Sequence, residues 1–136
     1  MKKIVLTALL LCVLLAGCGA KTVNVLIDHG SSALFTDAEI DEAAKVVKAK
    51  FNTFENGCKL YALTYAGDET AERELEYYNS RSEDGTVYAD CLVFHSVFRS
   101  PRHASGGWNS NEIYTWTWTL ARTEGGNWEL INYGYA

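Results

Sequence analysis

Three side chains have the types needed for acid–base chemistry in a pocket. Asp90, His95 and Tyr61 carry a carboxylate, an imidazole and a phenol, the groups that an isomerase or lyase uses as base, acid and oxyanion donor. Asp90 and His95 are five residues apart in a run that predicts a strand, so they face opposite sides of it. Only one of them can share a pocket with Tyr61. A small pocket enzyme of isomerase or lyase type is therefore an alternative and not the main hypothesis.

An aromatic run near the C-terminus provides a second kind of candidate site. Tyr114, Trp116, Trp118 and Leu120 alternate with threonines, so in a strand they share one face. That face has two interpretations. It either forms the core beneath a helix, or it lines a cleft for sugars or other flat ligands. For the second interpretation we select Tyr61, Trp116 and Trp118 as the candidate pocket residues.

The N-terminal residues have the three parts of an export signal. Residues 2–3 are lysines, and residues 4–15 form an apolar run of about 12 residues, too short for a transmembrane helix of about 20. Leu15-Ala16-Gly17-Cys18 resembles the lipobox of bacterial lipoprotein signals. The resemblance implies that residues 1–17 are removed and that the Cys18 thiol receives a diacylglyceryl group. Two acyl chains would then anchor the protein at the extracytoplasmic face of the cell membrane.

Two cysteines, Cys58 and Cys91, remain in the exported part of the chain, where disulfides can persist. A bridge between them would close a loop of about 33 residues and contribute about 3–4 kcal/mol. Both also lie in apolar runs, where a free cysteine behaves as a small buried hydrophobe, so the two alternatives stay open. The chain has no Cys/His spacing typical of zinc, no phosphate loop and no nucleophile elbow, and we expect no cofactor.

Length and charge limit the classes of function. Removing residues 1–17 from the 136-residue chain leaves 119 residues, which is enough for one domain. The formal charge of −5 becomes −7 when the two signal lysines are lost. An acidic domain disfavours nucleic acid as a partner. We therefore divide the chain into the signal peptide at 1–17, the lipidated cysteine and a tether at 18–33, and a single α+β domain at 34–136.

The periodicity predicts a helix followed by a sheet. Thr36 and Glu39 have capping-box spacing, and apolar residues then recur at steps of three and four as far as Phe54, before Asn56-Gly57 stops the pattern. An acidic second helix is predicted over Asp68–Asn79. The predicted strands cover Cys58–Tyr65, Val87–Arg99, Glu112–Arg122 and Asn127–Tyr135. This order predicts an antiparallel sheet packed on a long N-terminal helix.

From Ile27 onward the chain resembles a family of small Gram-positive lipoproteins with a cystatin-like, nuclear-transport-factor-2-like fold. The resemblance implies a curved sheet wrapped around a helix, usually with a cone-shaped pocket, and it implies no activity. Cys91 departs from the family pattern, in which that strand is aliphatic. The matching pieces are Ile27-Asp28, Gly30-Ser31, Phe35-Thr36, Glu39-Ile40, Phe51 to Leu60, Tyr65, Gly106-Gly107, Tyr114, Trp116 to Trp118, Trp128 and Gly134-Tyr135.

These observations favour a non-catalytic, lipid-anchored binding module whose partner is a small ligand or a cell-surface protein. A third hypothesis is an immunity-like lipoprotein that neutralises a partner through its acidic second helix. The charge run that would form this interface contains Asp68, Glu69, Glu72, Glu74 and Glu76. The same run also suits a solvated helix face.

Overall fold

A computed structural model describes residues 21–135. The predicted signal peptide and the lipidation site Cys18 lie outside the described residues. In the described part the chain forms an α+β fold with two helices and one five-stranded sheet, and neither helix is long and apolar enough to cross a membrane. The elements are β1 (Leu26–Asp28), α1 (Asp37–Phe51), β2 (Lys59–Tyr65), α2 (Asp68–Ser80), β3 (Asp90–Arg99), β4 (Ile113–Arg122) and β5 (Glu129–Tyr135).

Helix α1 begins with the predicted capping box. Glu39 donates its backbone N–H to the Thr36 hydroxyl at 3.2 Å, and Thr36 donates its own N–H to the Glu39 carboxylate at 2.9 Å. The helix ends at Phe51 and not at Phe54, because the N–H groups of Thr53 and Phe54 bond three residues back to form a tight turn. Because of that turn, the side chain of Phe54 does not continue the row of buried side chains along the helix. The buried stripe of the helix contains Ile40, Ala43, Ala44, Val47 and Phe51.

The sheet is mixed, which corrects the prediction of an antiparallel one. Strands β2 to β5 pair antiparallel in chain order, and β1 pairs parallel to β2, with Ile27 opposite Leu63. The reason is the connection between them. Helix α1 lies between β1 and β2 in the chain, and it returns the chain to the end of the sheet at which β1 began. Strand β2 therefore runs in the same direction as β1.

Residues 21–33, which the sequence assigned to a tether, are part of the folded domain. The Leu60 N–H donates to the Lys21 carbonyl at 2.9 Å. The Asp68 carboxylate accepts from the Ser32 hydroxyl at 2.6 Å and from the Ala33 N–H at 2.7 Å. Residues of the predicted tether from Lys21 onward therefore make hydrogen bonds to β2 and α2.

The two faces of the sheet have different coverings. The front face, which carries Phe94, Phe98 and Trp118, packs on α1 and forms the core. The back face carries the alternate residues of β3 and β4. There, Cys91 and Val93 are buried at 2% and 1% exposure where α2 packs on β3. The remainder of the back face is a polar cleft beside α2.

Candidate functional site

The front face is richest in aromatic rings beyond the C-terminal end of α1. Trp118 is fully buried there, donates its indole N–H to the Ser96 hydroxyl at 2.8 Å, and stacks on Tyr133 with ring centroids 5.2 Å apart. The turn after α1 brings Phe54 to 5.9 Å from the Trp118 ring and 5.7 Å from the Trp116 ring. Of the three candidate pocket residues, Trp118 therefore belongs to the core.

Trp116 lines an opening at the edge of this cluster, which we call the aromatic groove. The groove has a volume of about 320 Å³ and is lined by Gly107, Trp108, Trp116 and Tyr135. Trp108 stacks on Trp116 with centroids 5.5 Å apart and ring planes at 29°. Tyr135 lies 5.7 Å from Trp116 and is 72% exposed. The groove thus has two stacked indoles on one side and a phenol on the other.

The indole N–H of Trp116 has no hydrogen-bond partner although it is shielded from solvent. A shielded donor left without an acceptor costs about 1–3 kcal/mol, and such groups are few in folded proteins. An oxygen atom of a ligand would satisfy it only after the side chains that cover the N–H had moved aside. The combination of apolar rings and one orienting polar group is typical of small-ligand sites.

Trp108 comes from the connection between β3 and β4, residues 100–112, which we call the flap. The flap folds back over the aromatic cluster. Its Asn109 N–H donates to the Tyr114 hydroxyl at 2.8 Å, and its Ser105 N–H donates to the Glu55 carboxylate at 2.8 Å. Trp108 is not among the pocket residues predicted from the sequence. A tryptophan placed directly after Gly106-Gly107 was the available signal.

Tyr61 lies apart from the aromatic groove. The pairing between β2 and β3 shifts by one residue between Leu60 and Ala62, so Tyr61 sits at a β-bulge. Its ring is 37% exposed and contacts the Lys59 ammonium at 5.7 Å. The bulge also moves Leu63 to the same buried side as Leu60, although strict alternation along a strand would place them on opposite faces.

The structure does not bring the acid–base candidates together. Arg122 donates to the Asp90 carboxylate at 2.8 Å and to the Glu39 carboxylate, also at 2.8 Å. His95 lies on the back face, with its Nδ1 atom 3.3 Å from the Thr117 hydroxyl. His95 and Thr117 help to line the polar cleft of about 550 Å³. Asp90, His95 and the bulged Tyr61 therefore occupy three separate environments.

A disulfide between Cys58 and Cys91 is wrong for this fold, since both cysteines are free and buried. Lys59 pairs with Arg99, and Cys91 lies eight residues farther along β3, or about 27 Å at 3.4 Å per residue. A disulfide needs Cα atoms within about 7 Å. Burial raises the pKa of the Cys58 thiol and raises that of Cys91 to about 12. Both thiols therefore stay protonated at neutral pH.

The acidic face of α2 is partly engaged within the domain. Asp68 accepts from the hydroxyl of Tyr65 at 2.8 Å and from the N-terminal segment, whereas Glu69, Glu72 and Glu76 are exposed. Within residues 21–135, no group of three or more histidine, cysteine or acidic side chains is placed to hold a metal ion. Glu74 is half-buried beside the polar cleft, so the acidic run has one structural member, one half-buried member and three solvated ones.

Compared with models of protein families, with curated proteins and with solved structures, the chain gave no match. Its function must therefore be inferred from its own residues. The aromatic groove combines one exposed and two half-buried rings, a volume suited to a small ligand and an unsatisfied donor. These features make it the best candidate site among the described residues.

Proposed function

We propose that this chain is an exported, lipid-anchored module that binds a neutral sugar in the aromatic groove without transforming it. The observation that carries the proposal is the pair of stacked indoles, Trp108 and Trp116, next to the exposed ring of Tyr135. The C–H face of a sugar ring is flat and apolar, so it can cover an indole and exclude water. A sugar oxygen would also accept the unpartnered Trp116 N–H once the side chains that cover it had moved aside.

Charge favours a neutral ligand over an anionic polymer or a cation. The mature chain carries a formal charge of −7 after loss of the signal, which disfavours a polyanion. At the other end of the aromatic cluster the Lys50 ammonium lies 5.4 Å from the centroid of the Tyr133 ring. That position already supplies a cation–π partner, and a second cation near it would be repelled. A hydroxyl-rich neutral ring meets neither penalty.

Binding is a better proposal than turnover because the acid–base candidates do not reach the groove. The Asp90 carboxylate accepts from Arg122 beside α1, and His95 faces the cleft on the back face. A general acid or base must lie within hydrogen-bond reach of the proton it transfers. The pocket-enzyme alternative therefore lacks a paired acid and base at this groove.

We also propose that the sheet and α1 form the cone of the nuclear-transport-factor-2-like fold, which the sequence resembles from Ile27 onward. Two β-bulges support this, one at Tyr61 in β2 and one in the β4–β5 pairing between Thr119 and Leu120. Bulges bend and twist a strand, which helps a sheet curve around a helix. Buried rings such as Trp118 would then fill the cone, leaving the aromatic groove as its opening.

Titration with neutral oligosaccharides tests the sugar proposal. We expect cellotriose, maltotriose or chitotriose to bind the mature chain carrying Cys18→Ser, measured by calorimetry and tryptophan emission. Trp108→Ala should weaken binding at least about tenfold, equivalent to about 1.4 kcal/mol, because one wall of the groove is lost. Tyr77→Ala, which removes a 46% exposed ring on α2, is the matched control. Absence of binding by all three sugars at millimolar concentration would refute the proposal.

Fractionation of cells tests the proposed anchor. Cys18→Ser should move the protein from the membrane fraction to the soluble extracytoplasmic fraction, because no thiol remains to carry the acyl chains. Cys12→Ser changes a cysteine inside the predicted signal and should leave the protein in the membrane fraction. A Cys18→Ser protein that still sediments with membranes would contradict lipid anchoring at this residue.

A further inference from the structure

Glu55, in the turn after α1, makes a charge-assisted polar contact with the flap. Its Oε1 atom accepts the Ser105 N–H at 2.8 Å and the Ser105 hydroxyl at 2.6 Å. These two donors, the hydroxyl first, hold the pKa of the Glu55 carboxyl below its usual range, so the group stays ionised at neutral pH. Charge-assisted hydrogen bonds of this kind are about twice as strong as neutral ones.

Glu55 and Trp108 lie against the same point of the flap backbone. A Cβ atom added at Gly106 would sit 3.5 Å from Cδ1 of Trp108 and 3.7 Å from Oε2 of Glu55. The bonds from Glu55 to Ser105 therefore fix the backbone three residues before the indole. Gly107, which follows, has nothing within 4 Å of its Cβ position, so the backbone there is not restrained by packing.

The turn after α1 supplies both the floor of the aromatic cluster and this contact. Phe54 contacts the Trp108 and Trp116 rings at 5.7 Å, and the next residue is Glu55. Lys21 donates its ammonium group to the Phe54 carbonyl, and the Cys58 N–H donates to the Glu55 carbonyl at 3.2 Å. The backbone that carries the carboxylate is thus held from both sides.

The second oxygen of the carboxylate indicates that the contact between Glu55 and Ser105 adds less net stability to the fold than its two hydrogen bonds alone would. Oε2 of Glu55 is shielded from solvent and makes no hydrogen bond of good geometry, although the Gly106 N–H lies near enough to lower the pKa of the carboxyl. An oxygen left in this position offsets part of the gain from the Ser105 bonds. The Ser105 bonds still hold the flap in one position, even though the Oε2 atom reduces their net contribution to stability.

We propose that Glu55 is a positioning residue that latches the flap through Ser105 and so keeps Trp108 as a wall of the aromatic groove. The effect on sugar affinity rests on the proposed function, whereas the latch itself does not. Without the latch, the bond between Asn109 and Tyr114 still holds the flap after Trp108, but the segment from Ser105 to Gly107 before it is free to move and no longer fixes the position of the indole. The groove would then lose a preorganised wall.

Fluorine NMR on the mature chain labelled with 5-fluorotryptophan tests the latch without any ligand. The chain has four tryptophans, and each resonance is assigned by its Trp→Phe variant. Glu55→Ala should shift or broaden the Trp108 resonance and leave those of Trp118 and Trp128 unchanged, which also verifies that the domain is folded. Glu55→Gln keeps an oxygen that can accept from Ser105 and should restore the wild-type spectrum. Glu42→Ala, an exposed position on α1, is the control.

The outcomes separate the latch from the sugar proposal. A Trp108 resonance that is unchanged in Glu55→Ala, or equally altered in Glu55→Gln, would overturn the latch even if chitotriose binds. A resonance that responds as expected would support the latch even if no sugar binds, and only the proposed function would then fail. If both hold, Glu55→Ala should weaken chitotriose binding about fivefold and Glu55→Gln should restore it.

Discussion

Trp118→Ala is expected to lower the free energy of unfolding by about 3–5 kcal/mol, the largest effect of any single substitution proposed for this domain. Trp118 is fully buried and stacks between Tyr133, at 5.2 Å, and Phe54, at 5.9 Å. Its removal would leave a cavity beneath α1 and would also leave the Ser96 hydroxyl without the indole donor. Urea unfolding followed by far-ultraviolet circular dichroism measures the loss.

Thr115→Ala is the matched control for this substitution. Thr115 lies on the same strand as Trp118, points to the other face and is exposed, so a change of less than about 0.5 kcal/mol is expected. The loss of unfolding free energy for Trp118→Phe should lie between those for Thr115→Ala and Trp118→Ala, because phenylalanine keeps an aromatic ring and loses the bond to Ser96. A loss below about 1 kcal/mol for Trp118→Ala would show that this ring does not pack in the core as the structure places it.

Arg122→Met should lower the free energy of unfolding by about 2–3 kcal/mol. Arg122 donates to Glu39 on α1 and to Asp90 on β3, each at 2.8 Å, and its guanidinium lies 4.3 Å from the centroid of the Trp128 ring. Methionine keeps the packing volume but leaves two carboxylates without their cation. The side chains are about a quarter to a third exposed, so solvent screening reduces the effect below that of a fully buried pair.

The same substitution should change how stability responds to acid. Arg122 is the main reason that the pKa of Glu39 is lowered. A lowered pKa adds stability above the unfolded-state value, and that stability is lost as the pH falls through the folded-state value. The difference between wild type and Arg122→Met should therefore shrink as the pH falls from about 6 to about 3. Arg102→Met on the exposed flap is the control, and equal stability of wild type and Arg122→Met at pH 6 would contradict the prediction.

Local sequence signals predicted the elements well where the physical cause is local. Thr36 and Glu39 form a capping box through their own side chains, so their spacing alone fixes the start of α1. The alternation of tryptophan and threonine in β4 likewise placed Trp116 and Trp118 on one face, since the period of a strand is two residues. Each of these interactions joins residues close in the chain or repeats along a single element.

Features that depend on partners distant in the chain could not be predicted from local sequence patterns. The parallel pairing of β1 depends on α1 crossing back over the sheet, and the bulge at Tyr61 is visible only against its partner strand β3. The strand register places Cys58 next to the Arg99 end of β3 and Cys91 at its other end, a separation that spacing along the chain does not reveal. The sequence thus left the disulfide open, and the register excluded it.

The sequence by itself predicted an α+β domain, because periodicity carries that information, and the structure confirms this class. The export signal ahead of it stays a prediction. The sequence also identified the aromatic strand as the candidate for binding. Only the tertiary structure decided that Trp118 is core, that Trp116 lines a groove, and that Trp108 arrives from the flap to complete it. The physical reason is that exposure and ring stacking are set by which elements cover one another, and the helix, the strands and the flap meet only after the chain has folded.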